Sequence, residues 1–332
     1  MDDGIISLID YKMRKYTINK NNTSSWKSDI NQSVLFYNEW FLNFAPTTYI
    51  NARKEAFDKI ETIFGKTNFF NLISTDLLKN VPESISILRM ATTPPLARER
   101  LAGLANVPNS FIKSLEEGRL PRMNDTEREK CLNRIIDIIN RLLDIDIMPW
   151  LESKSFPHEM DRLLAKNVIG DRICGSMSDP IIRNEQERRQ LECISVFLLN
   201  RGYKFVESKH ITDFRNMEHG TFTYHLNVPV EIGQAHPVNM PIDVVVMRQK
   251  AKANELPILI ECKSAGDFTN TNKRRKEEAT KVEQLKNTYG NTVEFVLFLC
   301  GYFDSGYLGY EAAEGIDWIW EHRIEDLLKT GI

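Results

Sequence analysis

Two short apolar runs joined by a polar connection constrain this chain more than any other feature. The first is Pro241-Ile242-Asp243-Val244-Val245-Val246-Met247 and the second is Pro257-Ile258-Leu259-Ile260-Glu261-Cys262-Lys263. Both are rich in β-branched residues, and Arg248 to Glu255 between them reads as a connection, so the pattern predicts two adjacent strands. Each strand carries an acid where a core strand should not: Asp243 near the start of the first, Glu261 near the end of the second. Alternation puts Glu261 and Lys263 on one face of the sheet and Cys262 on the other.

Two carboxylates that converge on one point repel, and burial makes that repulsion costly unless a cation lies between them. Hard oxygen donors of this kind suit Mg²⁺. An ion there lowers the pKa of a bound water and stabilises charge on a phosphoryl oxygen. An adjacent lysine positions the attacking water and offsets charge developing at phosphorus. The pattern points to metal-dependent phosphodiester hydrolysis. A Glu-x-Lys tripeptide alone is common by chance, and the Pro-x-Asp strand directly before it is what makes this one informative.

Charge says little about partners in bulk. With 43 Lys and Arg against 46 Asp and Glu, the net charge of −3 argues against indiscriminate polyanion binding and leaves room for a local basic groove. No apolar run reaches the length of a membrane span, and Met1-Asp2-Asp3-Gly4 lacks the basic and apolar regions of a signal peptide, so a cytoplasmic protein with no membrane partner is expected. Cysteines at 131, 174, 193, 262 and 300 form no C-x-x-C pair, which argues against a zinc site or a disulfide framework and for buried thiols.

From Ile5 to about Arg172 the text is mostly helical, with a break expected at Ala45-Pro46-Thr47-Thr48. Arg134 to Ile147 is the clearest amphipathic stretch, ended by Pro149. Leu96 to Pro121 resembles the helix-turn-helix of phage-repressor-like regulators: Ala102 lets two helices approach, Val107 sits in the turn, Asn109 is the expected cap, and Gly118-Arg119 closes the second helix. That reading exposes Asn109, Ser110 and Lys113 to a DNA groove. An ordinary helix pair inside a supporting bundle is the alternative, and the residues leave both open.

Ser178-Asp179-Pro180 reads as a turn and a boundary, dividing the chain into a helical region, 1–178, and a second domain, 179–332. Ile182 to Asn200 follows as a helix on which Glu187 shares a face with Leu191, Ile194 and Leu198, which makes it a candidate third acid, with Glu185 and Glu192 as competitors. Tyr203 to Ser208 reads as a strand. Asp213 to Pro237 reads as a polar insertion whose histidines, His219, His225 and His236, follow no ligand spacing and are expected at the surface or in a groove. Lys273-Arg274-Arg275-Lys276 opens a helix just downstream of Lys263, well situated to hold phosphates. Val293 to Leu299 is a strand buried on both faces. The aromatic tail around Trp318 and Trp320 is compatible with packing, a dimer surface or base contacts.

Helix, strand, strand with Asp243, strand with Glu261-x-Lys263, helix, strand resembles the core of the PD-(D/E)XK nuclease superfamily, with Pro-Ile-Asp in place of Pro-Asp. The resemblance implies an α/β (α+β) fold, a restriction-endonuclease-like core whose mixed central sheet is flanked by helices, here behind a mostly helical N-terminal half. It implies metal ligands at Asp243, Glu261 and the Cys262 backbone carbonyl, and water activation by Lys263. Thr93-Pro94-Pro95-Leu96-Ala97, Asp179 to Asn184, Phe268 to Ala279 and Gly301 to Ala313 look like XamI-type restriction endonucleases. That narrower resemblance implies a Mg²⁺-dependent type II enzyme, with Mn²⁺ as a substitute. It would act as a homodimer on a short palindromic site in double-stranded DNA and have a DNA methyltransferase as genetic partner. A repair or recombination nuclease that recognises DNA structure is the same-fold alternative. A non-enzymatic helix-turn-helix regulator is the alternative of another class.

Overall fold

A computed structural model describes residues 17–231, 233, 237–269 and 271–332, with backbone alone at 271–275. The first helix, α1 (Thr23–Thr67), runs for 45 residues straight through Pro46. The break expected at 45–48 is therefore absent. Proline costs a helix about 3 kcal/mol through its missing N–H and its clash with the preceding turn, and a helix this long carries the loss. By Cα packing the chain falls into two units, 44–182 and a second made of 1–43 with 183–332.

The first unit is helical. Between α1 and α8 (Glu159–Leu199) it holds α2 (Thr75–Asn80), α3 (Ile85–Met90), α4 (Arg98–Leu104), α5 (Asn109–Glu116), α6 (Asp125–Leu142) and α7 (Trp150–Ser153). The amphipathic stretch supplies the second half of α6, which begins nine residues earlier and ends at Leu142; Asn124 caps it by accepting from the Thr126 amide, and it buries Ile135, Ile136 and Ile139. These pack with Ile60, Leu88, Leu101, Ile112 and Ile169 in one core. The expected helix pair is present as α4 and α5, with Ala102 and Val107 buried between them and the rest of the unit. Asn109 is not the cap: Pro108 occupies that position and the Asn109 amide approaches Glu99 Oε1 at 3.5 Å.

No turn interrupts the chain at 178–180 either. Pro180 lies inside the 41-residue α8, although the unit boundary falls two residues later. A proline signals a break from local sterics alone, and here the helix continues past it.

The second unit is built on a six-stranded sheet of order β1-β2-β3-β4-β5-β6, comprising β1 (Lys204–Phe205), β2 (Thr221–Val230), β3 (Val238–Met247), β4 (Ile258–Ala265), β5 (Glu294–Gly301) and β6 (Asp317–Trp320). The expected strand at 203–208 shrinks to the two residues of β1, and the supposed polar insertion contains the ten-residue β2. The pairs β2–β3 and β3–β4 are antiparallel, whereas β1–β2, β4–β5 and β5–β6 are parallel. The parallel pair β4 and β5 needs a crossover, which α9 (Thr271–Tyr289) supplies; α10 (Ser305–Ala313) likewise joins β5 to β6.

Apolar residues cover both faces of this sheet. Ile194, Phe197 and Leu198 of α8 pack on Val244, Val246, Ile258, Ile260 and Phe298. Val282 and Leu285 of α9 and Tyr307 and Leu308 of α10 pack with Val245, Leu259, Leu297 and Trp318. The tail aromatics Trp318 and Trp320 are core residues of β6. The N-terminal segment belongs to this unit: Asp317 accepts the amides of Ile18 at 2.7 Å and Asn19 at 2.8 Å, and Arg323 pairs with Asp29 at 2.7 Å.

Candidate active site

Strands β3 and β4 pair over only three residues, Val244 to Val246 against Ile258 to Ile260. Beyond them β3 continues along β2 to Val238, and β4 continues along β5 to Ala265, so the sheet forks. One rung past the last pair, the register sets Asp243 against Glu261. Here the Asp243 side chain takes over from the ladder, its Oδ2 accepting the Cys262 amide at 2.8 Å. A donor that the fork would otherwise leave bare is satisfied, and two carboxylates meet at the branch point.

Glu261 is 3% exposed. Its Oε1 accepts from Lys263 Nζ at 2.9 Å and from Lys281 Nζ at 2.6 Å. Its Oε2 is buried with no hydrogen-bond partner among the described residues. Lys263 Nζ also lies 3.8 Å from Glu278 Oε1, and the Tyr307 hydroxyl donates to Glu278 Oε2 at 2.8 Å. Glu278 and Lys281 stand one turn apart on α9, so a single helix face brings an acid toward Lys263 and a base toward Glu261. From α8, Gln190 Nε2 donates to the carbonyl oxygens of Phe298 at 3.2 Å and Lys263 at 3.4 Å.

Burial, with the charge of Glu261 added, holds the Asp243 carboxyl above its ordinary range. At Lys263 burial acts downward, but Glu261, Glu278 and Asp243 outweigh it and the ammonium is held more firmly than usual. Glu278 is pushed up by burial against the pull of Lys263. Behind it, fully buried Glu311 is pushed up to about 9 by burial, with Glu278 adding to the effect. Carboxylates crowded this way favour the arrival of positive charge.

On its other side Asp243 faces β2. The pairs Tyr224↔Val244 and Leu226↔Ile242 bracket one missing rung, where His225 stands opposite Asp243 with φ +49°. The pleat reverses there. Phe222 and Tyr224 lie against the core shared with α8, whereas Leu226 and Val228 lie in the opposite core. Glu187 of α8 comes within 3.7 Å of His225 Nε2, and ligand atoms of Glu187, His225 and Asp243 all lie within 4.8 Å of one another. The acid expected to face inward on α8 is thus beside Asp243, but about half exposed.

Asp243, Glu261, Lys263 and the Cys262 backbone meet at the fork. Lys276 is exposed on α9; the side chains of Lys273, Arg274 and Arg275 lie outside the described residues, as does His236. Asn109, Ser110 and Lys113 are exposed on α5, in the helical unit. Lys281, Glu278, Gln190 and His225 were missed from sequence. The Glu278-x-x-Lys281 spacing was visible, but not the element it would face.

Residues 68–320 match the family described as XamI restriction endonuclease. The chain is similar to the type II restriction enzyme SalI of Streptomyces albus G, at 45% identity over 315 residues, spanning 95% of this chain and 99% of that enzyme. Among solved structures it is similar to protein VC1899 from Vibrio cholerae, with 14% identity and a TM-score of 0.27 over 77% of this chain and 55% of that one.

Proposed function

The chain belongs to the XamI restriction endonuclease family, and on that footing we propose that it is a Mg²⁺-dependent type II endonuclease. Its reaction is hydrolysis of phosphodiester bonds in double-stranded DNA at one specific, short, palindromic site. The observation that carries this reading is the unpartnered, buried Oε2 of Glu261 beside Asp243 at the sheet fork. An oxygen left this way costs stability unless a cation or donor reaches it.

The donor set fits a hard divalent ion. Asp243 and Glu261 offer carboxylate oxygens. The Cys262 carbonyl joins them, because a strand residue directs its N–H and C=O to the same edge and the Cys262 N–H already points to Asp243. When bound, Mg²⁺ supplies charge neutralisation at the scissile phosphate and a more acidic water, and Mn²⁺ serves as a substitute.

The chain's own side chains do the rest. Lys263, held between Glu261 and Glu278, orients the attacking water and offsets charge that builds on the phosphoryl oxygens. Lys281 engages Glu261 Oε1 and leaves Oε2 to face the ion. Lys276, with Lys273, Arg274 and Arg275 beside it in sequence, grips the DNA backbone. The exposed edge of α5 with Asn109, Ser110 and Lys113 reads bases. A palindrome calls for a two-fold homodimer, and a methyltransferase partner protects the host genome. No helix among the described residues is long and apolar enough to cross a membrane, which accords with work on cytoplasmic DNA.

The test is to incubate the purified chain with Mg²⁺ and duplex DNA of known sequence and map the ends. Discrete fragments with one shared end sequence support the reading. Cleavage confined to branched or single-stranded DNA favours a repair nuclease instead, and specific binding without scission favours a regulator.

A further inference from the structure

We propose that His225 is a metal ligand, forming with Glu187 and Asp243 a nitrogen-containing cation position that adjoins the Asp243–Glu261 pair and prefers Mn²⁺ to Mg²⁺. The inference rests on the reading of Asp243 given above and adds to it a residue, a second position and an ion preference.

Three observations carry it. First, His225 lies directly across from Asp243 on the one rung missing between β2 and β3. Its φ of +49° is a left-handed conformation in the middle of a strand, where a non-glycine residue is strained. Such strain persists where the surroundings hold a side chain in a required place.

Second, His225 Nε2 and Glu187 Oε1 stand 3.7 Å apart, too far for a hydrogen bond. Ligand atoms around one ion of this size lie roughly 3.0–3.5 Å apart, and the three candidate atoms lie within 4.8 Å of one another. Side-chain rotation by about an ångström closes the set. Both residues remain open to an arriving ion, with side chains 57% and 48% exposed.

Third, the row continues across the fork from His225 through Asp243 to the buried, unpartnered Oε2 of Glu261. Imidazole is a usual ligand of first-row transition ions; Mn²⁺, mainly oxygen-seeking, still accepts one nitrogen in a mixed set, whereas Mg²⁺ demands near-ideal octahedral oxygen ligation and keeps its waters. One nitrogen donor at the edge of an oxygen-lined site therefore sets the order of preference among ions.

The experiment titrates Mn²⁺, Mg²⁺ and Ca²⁺ into the full chain without DNA by calorimetry, and records pulsed EPR of the Mn²⁺ complex. A directly bound imidazole gives ¹⁴N modulation of the Mn²⁺ echo. Wild type should show it. His225→Asn, which tolerates a positive φ, and His225→Gln should lose it, together with about tenfold or more in Mn²⁺ affinity, while Ca²⁺ affinity stays within about twofold. Thermal melts confirm that the variants are folded. Unchanged modulation and affinity in both folded variants, or no modulation in wild type, overturns the proposal. Asp243→Asn keeps the two failures apart: if it abolishes Mn²⁺ binding while the His225 variants change nothing, only the His225 assignment falls. If Asp243→Asn also binds Mn²⁺ like wild type, the proposed catalytic site falls with it.

Discussion

Lys281 Nζ lies 2.6 Å from Glu261 Oε1, the same oxygen that Lys263 reaches at 2.9 Å. Two ammonium groups from different elements, α9 and β4, saturate one oxygen and leave its twin bare. This asymmetry separates the roles of the two lysines. Lys263 alone is also held by Glu278. Lys263→Met should lower single-turnover cleavage by about 10³-fold. Lys281→Met, which removes only the outer partner of Glu261, should lower it by roughly tenfold. Equal losses would show that Lys281 does more than orient Glu261.

Asp243 has a structural task as well as its proposed catalytic one, because it accepts the Cys262 amide. Asp243→Ala and Asp243→Asn should both abolish cleavage, by about 10³-fold or more. Only the alanine variant leaves that amide without an acceptor, and it should be less stable than Asp243→Asn by about 1 kcal/mol in denaturant unfolding.

Metal binding should stabilise the fold in proportion to occupancy. At a hundredfold excess over Kd, Mg²⁺ should add about 2.7 kcal/mol to unfolding, read as a rise in Tm. Glu261→Gln combined with Asp243→Asn should show no such rise.

Glu311 makes stability depend on pH. Its pKa in the folded chain, about 9, exceeds the ordinary 4.5, so the folded protein keeps a proton that the unfolded chain releases. Its contribution is full below about pH 4.5 and is lost as pH rises toward 9. Glu311→Gln removes its share of the dependence and leaves that of Glu278 and Asp243, which are raised as well. The variant should match wild type near pH 5 and exceed it at pH 9, measured by chemical denaturation at both values.

The two basic surfaces should behave differently toward DNA. Lys276→Ala should weaken binding about equally for all sequences and reduce the salt slope by about one. Lys113, exposed on α5 and only 4.0 Å from Glu117, stabilises little. Replacing it or Ser110 by Ala should relax sequence preference while stability stays within about 0.5 kcal/mol. Unchanged preference in both variants would assign α5 to the supporting bundle.

Local regularities made part of this protein legible in its sequence. The alternation of β3 and β4, the acids at 243 and 261, and the shared face of Glu261 and Lys263 follow from a two-residue period acting over a few positions. The existence of the helices α6 and α9 follows equally from short-range pattern. Where the local signal was weak or outvoted, the reading went astray. β2 carries Pro229, Asn227 and His225 amid its apolar residues and so looked like a polar insertion, and Pro46 and Pro180 suggested ends that α1 and α8 do not have.

By itself, then, the sequence determined which residues could carry the chemistry: two acids and a lysine spaced along adjacent strands. Tertiary structure alone decided where the sheet forks, and so why those acids meet at a buried point with one oxygen bare. It also chose their company: Lys281 and Glu278 from α9, Gln190 and Glu187 from α8, His225 from β2. These contacts join residues far apart in the chain, and no periodicity encodes which helix face will cover which strand.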